Sequence, residues 1–126
     1  MLDTSAVVDL DLIPEDALPL EMAVSALTLA ELAAGPHATA DPRLRARRQE
    51  QLQRVEATFE TVPFDGASAR AYGVVVAAAA AAGRTSRRRA VDLMIAATAL
   101  GAGLPVFTRN AGDLVGLEEV VEVIPV

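Results

Sequence analysis

Four acidic residues lie in four separate segments of this 126-residue chain, each where an apolar segment meets a helix or a turn. In an open parallel sheet, ligands bind beyond the carboxyl ends of the strands, so such acids can converge at one edge. Clustered carboxylates repel one another and have raised pKa values unless a cation neutralises them. Oxygen ligands suit Mg²⁺ or Mn²⁺, ions that activate water and stabilise charge on a displaced phosphate. The four acids are Asp3, Glu31, Asp92 and Asp113.

Each acid also has a purely structural interpretation, and spacing does not decide between the two. Asp3 can be a helix N-cap. Asp92, at the start of the helix predicted at 90–102, can be a first-turn residue favoured by the helix dipole. The other two can be a solvated helix residue and an ordinary turn residue. In the order of mention, these four interpretations apply to Asp3, Asp92, Glu31 and Asp113.

Three consecutive arginines, Arg87, Arg88 and Arg89, precede Asp92. A guanidinium group binds phosphate oxygens through two parallel hydrogen bonds, so this segment is suited to hold a substrate's phosphates. A solvated loop or a contact with a partner protein would explain the same triplet.

Composition excludes several kinds of chemistry. The chain has no cysteine, which excludes disulfides, thiolate nucleophiles and cysteine-ligated metals. Its 11 basic residues are all arginines, so Schiff-base chemistry and a Walker-type phosphate loop are also excluded. With a single histidine, a histidine metal cage or a serine–histidine hydrolase is not expected. The net charge of −6 is unfavourable for binding nucleic acid through overall charge alone.

Short apolar segments alternate with helical patterns along the whole chain. After a very short first strand at 1–2, strands are predicted at 22–25, 61–64, 104–108 and 120–124. Helices are predicted at 26–34, 43–60, 66–82 and 90–102. This alternation is typical of a parallel sheet flanked by helices, and no linker divides the chain, so we expect one domain over residues 1–126.

The apolar stretch at 72–83 is shorter than the ~20 residues that span a bilayer, and no signal peptide is visible at the start of the chain. The sequence therefore predicts a cytoplasmic protein with no membrane segment.

The residues around the four acids resemble the motifs of PIN-domain ribonucleases, specifically the VapC-type toxins of bacterial toxin–antitoxin pairs. The resemblance covers nearly the whole chain and rests on four motifs in the expected order. They read MLDTS at 1–5, SALTLAEL at 25–32, DLMIAATA at 92–99 and TRNAGDL at 108–114.

This resemblance implies a three-layer α/β/α PIN-like fold with a short, mostly parallel central sheet, and cleavage of single-stranded or loop RNA with Mg²⁺ or Mn²⁺. It also implies a homodimer and a hetero-oligomer with a cognate VapB-type antitoxin, which would dock an apolar and a basic segment over the site. The metal ligands it implies are Asp3, Glu31, Asp92 and Asp113, supported by Thr4, Ser5, Thr108 and Asn110.

The chain departs from the family pattern in two places. Only Met1 and Leu2 precede Asp3, which indicates a truncated first strand or a start codon upstream. The family's last motif often ends in Asp-Phe, whereas this chain has Asp113 followed by Leu114.

Receiver domains and haloacid-dehalogenase-like phosphatases also gather aspartates at strand ends. Both need a basic residue that is generally lysine, and because this chain has no lysine, neither family is expected. The main alternative is a catalytically silent PIN-like module that only binds an antitoxin or RNA.

Overall fold

The computed structural model describes residues 1–84 and 87–126. Its strands are β1 (Ala23–Ser25), β2 (Glu60–Val62), β3 (Val106–Thr108) and β4 (Val123–Pro125). Its α-helices are α1 (Thr4–Val8), α2 (Ala26–Ala34), α3 (Pro42–Thr58), α4 (Gly66–Ala81) and α5 (Ala90–Ala102).

The centre of the sheet is a single residue, Leu2, which forms parallel bridges to Val24 of β1 and to Phe107 of β3. Outside it, β1 pairs in parallel with β2, and β3 pairs in parallel with β4. The strand order is therefore β2–β1–Leu2–β3–β4, with all pairs parallel. This agrees with the very short first strand that the sequence predicts.

Successive strand residues point to opposite faces of the sheet, and two separate hydrophobic clusters follow from this alternation. Met1 and Val106 belong to one cluster, together with buried residues of α4 and α5. Leu2 and Phe107 belong to the other, together with residues of α1, α2 and α3. Helices thus cover both faces, which confirms the predicted three-layer α/β/α fold.

The α4 and α5 helices approach closely because small residues line their contact. A Cβ atom added to Gly101 would lie 2.8 Å from the backbone nitrogen of Ser68, so only glycine fits there without a shift of one helix. Although α4 is rich in alanine, no helix within residues 1–84 and 87–126 is long and apolar enough to cross a membrane.

Two predicted strands were misplaced. The last strand begins at Val123 rather than at residue 120, because the N–H groups of Val120 and Val121 both donate to the Leu117 carbonyl in a turn, each at 2.9 Å. The second is β2, which covers Glu60–Val62 rather than 61–64; the next residue is a proline, which has no N–H to extend the ladder.

Candidate metal centre

Asp3 directly follows the central strand residue and is the N-cap of α1. Its Oδ1 atom accepts hydrogen bonds from the Ala6 backbone N–H at 2.8 Å and from the Ser5 hydroxyl at 2.7 Å. The structural interpretation of Asp3 as a cap is therefore correct. This capping role is compatible with metal binding. The hydrogen bonds to Asp3 all use Oδ1, which leaves Oδ2 available as a metal ligand.

The Ser5 hydroxyl connects Asp3 to the end of β3. Its oxygen lies 3.3 Å from the Thr108 hydroxyl and accepts the backbone N–H of Arg109 at 3.0 Å. The Thr108 hydroxyl in turn accepts the backbone N–H of Asn110 at 3.0 Å. Ser5 and Thr108, both predicted as support residues, thus join the segments that follow two neighbouring strands.

Glu31 lies on the exposed side of α2 and reaches the start of α1. Its Oε2 atom accepts a hydrogen bond from the Thr4 hydroxyl. This contact places the carboxylate beside the segment that carries Asp3, and it orients a side chain that would otherwise be free in solvent.

Asp92 is half-buried in the first turn of α5. Burial raises the pKa of its carboxyl group, and the negative charges of Asp113, Glu31 and Asp3 raise it further. The charge of Arg89 acts in the opposite direction. All four predicted acids therefore act on one another electrostatically at this position.

Two connected depressions bring these side chains to one edge of the sheet. An inner cavity of about 50 Å³ has room for a few water-sized groups and is lined by Asp3, Asp92 and Asp113. A shallower outer groove is lined by Glu31 and Asp92, so Asp92 faces both. Thr4, Ser5 and Asn110 line both depressions.

Within residues 1–84 and 87–126, no three acidic or histidine side chains are close enough to hold one metal ion as they stand. The donor set nevertheless fits Mg²⁺ or Mn²⁺, because it consists of carboxylate, hydroxyl and amide oxygens. The raised pKa of Asp92 supports this fit, since a divalent cation would offset the repulsion that raises it.

The arginine triplet divides into residues with different surroundings. Arg87 is exposed, whereas Arg89 is half-buried and donates from Nη1 to the Arg84 carbonyl at 3.0 Å. The buried Nε and Nη2 atoms of Arg89 have no hydrogen-bond partner among the described residues. The side chain of Arg88 lies outside what the structure describes. The assignment of all three to phosphate contact stays a prediction.

Sequence reasoning missed two buried hydroxyl groups beneath the site, those of Ser25 and Thr28. The signal available was their spacing, because Ser25, Thr28 and Glu31 are three residues apart and lie on successive turns of one helix. Asp9 also borders the outer groove, and its carboxylate pairs with the Arg109 guanidinium at 3.5 Å.

Comparison with known proteins places these features in a family context. The model of the PIN domain family matches residues 1–114. Ribonuclease VapC5 from Mycobacterium tuberculosis is 38% identical to this chain over 96 residues, which is 76% of this chain and 69% of that protein.

Solved structures share the fold over almost the whole chain. VapBC-5 of Mycobacterium tuberculosis, from the VapBC family of toxin–antitoxin systems, matches with a TM-score of 0.84 and 36% identity, covering 99% of this chain and 96% of that one. FitAcB from Neisseria gonorrhoeae matches with a TM-score of 0.75 and 29% identity, covering 98% and 94%.

Proposed function

The chain belongs to the PIN-domain family and is a homologue of the VapC ribonucleases, and we propose on this basis that it is an endoribonuclease that uses Mg²⁺ or Mn²⁺ to cleave single-stranded or loop RNA. The observation that carries the proposal is the environment of Asp92. Its pKa is raised by burial and by the three other carboxylates, an arrangement that suits a divalent cation.

Each predicted site residue has a role in this proposal. The metal ligands are Asp3, Glu31, Asp92 and Asp113. When bound, the ion would activate water for attack on a phosphodiester and stabilise the charge that develops on the phosphate. Ser5 and Thr108 support Asp3, the Asn110 backbone N–H donates to Thr108, and Thr4 orients Glu31. The predicted contacts to the RNA backbone are Arg87, Arg88 and Arg89, of which Arg87 is exposed.

The proposal is tested with purified chain free of any antitoxin. Wild-type protein is expected to cleave RNA containing stem-loops with Mg²⁺ or Mn²⁺ and to stop when EDTA is added. Asp92→Asn is expected to lower the cleavage rate at least about 100-fold, because even groups outside a metal's ligand shell cost 10- to 100-fold when removed.

The matched control is Asp16→Asn, an exposed acid in the short 3-10 turn Glu15–Ala17, which should cleave like the wild type. Undiminished cleavage by Asp92→Asn, or in EDTA, would contradict the mechanism. No cleavage by the wild type with either ion would favour the catalytically silent alternative.

We further propose that a VapB-type antitoxin inhibits the chain by covering the outer groove, and that the chain forms a homodimer within a larger toxin–antitoxin assembly. The solved relative VapBC-5 belongs to a toxin–antitoxin family. In this chain, a further groove of about 210 Å³ lies beside the outer groove and is also lined by Glu31. It contains the apolar side chains of Val8 and Leu32. Val8 is 52% exposed, so an apolar segment of a partner could bury it.

A further inference from the structure

Two hydroxyl side chains beneath Glu31 are completely buried, those of Ser25 and Thr28. Ser25 is the N-cap of α2, and its Oγ atom accepts the Thr28 backbone N–H at 2.9 Å. The Ser25 hydroxyl then donates to the Thr28 hydroxyl oxygen at 3.0 Å. A buried hydroxyl without a partner destabilises a fold, so both hydroxyls need partners within the protein.

The second hydroxyl partner of Thr28 is Thr4, which donates to it. The hydroxyl oxygens of Thr4 and Thr28 lie 3.3 Å apart, and the Thr4 hydroxyl also contacts Glu31 Oε2. A threonine hydroxyl has one proton, and an ionised carboxylate can only accept. The Thr4 hydroxyl is therefore the donor to Glu31, and it is also the donor towards the Thr28 oxygen, so its one proton is shared between these two acceptors.

The result is a chain of connected hydroxyl groups, in which Ser25 donates to Thr28, and Thr4 donates to both Thr28 and Glu31. Hydrogen bonds in such chains polarise one another, and the bond to Glu31 is strengthened by the charge of its acceptor. Asp3 is held by a different network, through Ser5 and Thr108. Each of the two acids thus has its own hydroxyl support.

We propose that Thr28 is a positioning residue that orients Glu31 through Thr4. This inference rests on the proposed function, since it assigns Thr28 a part in preparing the same site. It adds a residue that touches neither cavity and that would act only through the hydroxyl of Thr4. Because Glu31 is exposed, this buried anchor limits the directions in which its carboxylate can point.

Cleavage kinetics separate positioning from simple packing. Thr28→Val keeps the shape of the side chain and removes its hydroxyl, whereas Thr28→Ser keeps the hydroxyl. We expect Thr28→Val to lower kcat about tenfold with little change in KM for RNA, and Thr28→Ser to stay within about twofold of the wild type. The proposal is overturned if Thr28→Val keeps the wild-type kcat, or if Thr28→Ser loses as much as Thr28→Val.

A second measurement needs no ribonuclease activity. In urea unfolding of metal-free protein, Thr28→Val and Glu31→Ala should together lower the folding equilibrium constant by less than the product of their separate effects. The control is Thr98→Val. The Thr98 side chain is buried, and its hydroxyl donates to the Met94 carbonyl at 2.8 Å. Thr98→Val and Glu31→Ala should together lower the folding equilibrium constant by the product of their separate effects. Multiplicative effects for Thr28→Val would overturn the proposal. If wild-type protein cleaves no RNA, the proposed function fails while this measurement still decides the role of Thr28.

Discussion

Asp65 and Asp92 both lie at the beginning of a helix, yet their carboxyl groups have opposite electrostatic surroundings. Hydrogen bonds from the Ser68 backbone N–H and hydroxyl lower the pKa of Asp65, which is the N-cap of α4. Burial and neighbouring acids raise the pKa of Asp92. One aspartate is therefore stabilised as an anion by its local fold, and the other is held as an anion at a cost to stability.

This contrast predicts opposite effects of the same substitution in metal-free protein. A carboxyl group with a raised folded-state pKa destabilises the fold once it ionises, and this effect is absent below the unfolded value of 3.8. Asp92→Asn should therefore raise the melting temperature at pH 7 in EDTA. The gain should shrink as the pH falls towards 3.8.

The matched control is Asp65→Asn. A lowered pKa contributes stability above the unfolded value, also 3.8, and loses it as the pH falls through the folded-state pKa, so this substitution should lower the melting temperature at pH 7. Melting curves recorded at pH 7 and at decreasing pH to below 3.8 measure both effects. An Asp92→Asn protein that melts below the wild type at pH 7 would contradict the raised pKa of Asp92, which comes from burial and from the neighbouring acids.

At the scale of elements, three-residue strands position the site and the helix pair α4–α5 holds one face of the sheet. Strands this short provide few ladder hydrogen bonds, so helix packing must fix where each strand ends. The contact between Gly101 of α5 and the backbone at Ser68 of α4 is so close that only glycine fits at position 101 without a shift of one helix. It limits how near α5, the helix that carries Asp92, lies to α4.

Gly101→Ala is expected to destabilise the protein by about 1–3 kcal/mol, because the added methyl group would force the two helices apart. Gly73→Ala in α4 is the control, since a Cβ atom there has no neighbour within 4 Å. It should stabilise the fold by about 0.5–1 kcal/mol through helix propensity. Urea unfolding of the two variants tests both values. Equal stability of the two variants would show that the helices adjust freely at this contact.

Much of the fold could be predicted from the sequence because its rules are local. Apolar segments followed by capping residues marked the starts of α2 and α4, at Ser25 and Asp65. The turn at Val120 and Val121 could not be predicted, because these residues have strand-like side chains and their N–H groups bond Leu117 instead. That choice depends on tertiary packing.

The candidate site, like the fold, could be predicted from the sequence only in part. Four ordered motifs predicted which acids approach one another, and the structure brings Asp3, Asp92 and Asp113 to one cavity. The hydroxyl chain from Ser25 through Thr28 could not be predicted, because it needs the three-dimensional contact between α1 and α2. The inward orientation of Arg89 likewise depends on where α5 begins.

At the scale of the whole molecule, the charge of −6 and the absence of lysine mean that, under the proposed function, RNA contact depends on a few arginines. Several of these are engaged within the fold: Arg54 pairs with Asp11 at 3.3 Å, and Arg109 pairs with Asp9. An acidic surface also favours a partner with a basic segment, which fits the proposed antitoxin.

Expression of the chain alone is therefore expected to slow bacterial growth, and co-expression of a small DNA-binding protein encoded beside it should relieve the effect and copurify with the chain. Growth curves and affinity purification measure the two outcomes. The Asp92→Asn chain serves as the control, since it should leave growth unaffected even without the partner. Growth inhibition that persists with the neighbouring protein present would contradict the pairing.

The bridges from Leu2 to Val24 and to Phe107 have a consequence for synthesis of the protein. Leu2 can pair with β3 only after Phe107, 105 positions later, has been synthesised. Parallel pairing between such distant segments forms slowly. A ribosome that has released only the first hundred residues exposes Asp3 and Glu31 without the β3 segment that carries Thr108 and Asn110. Under the proposed function, a nascent chain stays harmless to the RNA around it until the β3 segment has been synthesised, and that delay gives a partner made at the same time an opportunity to bind first.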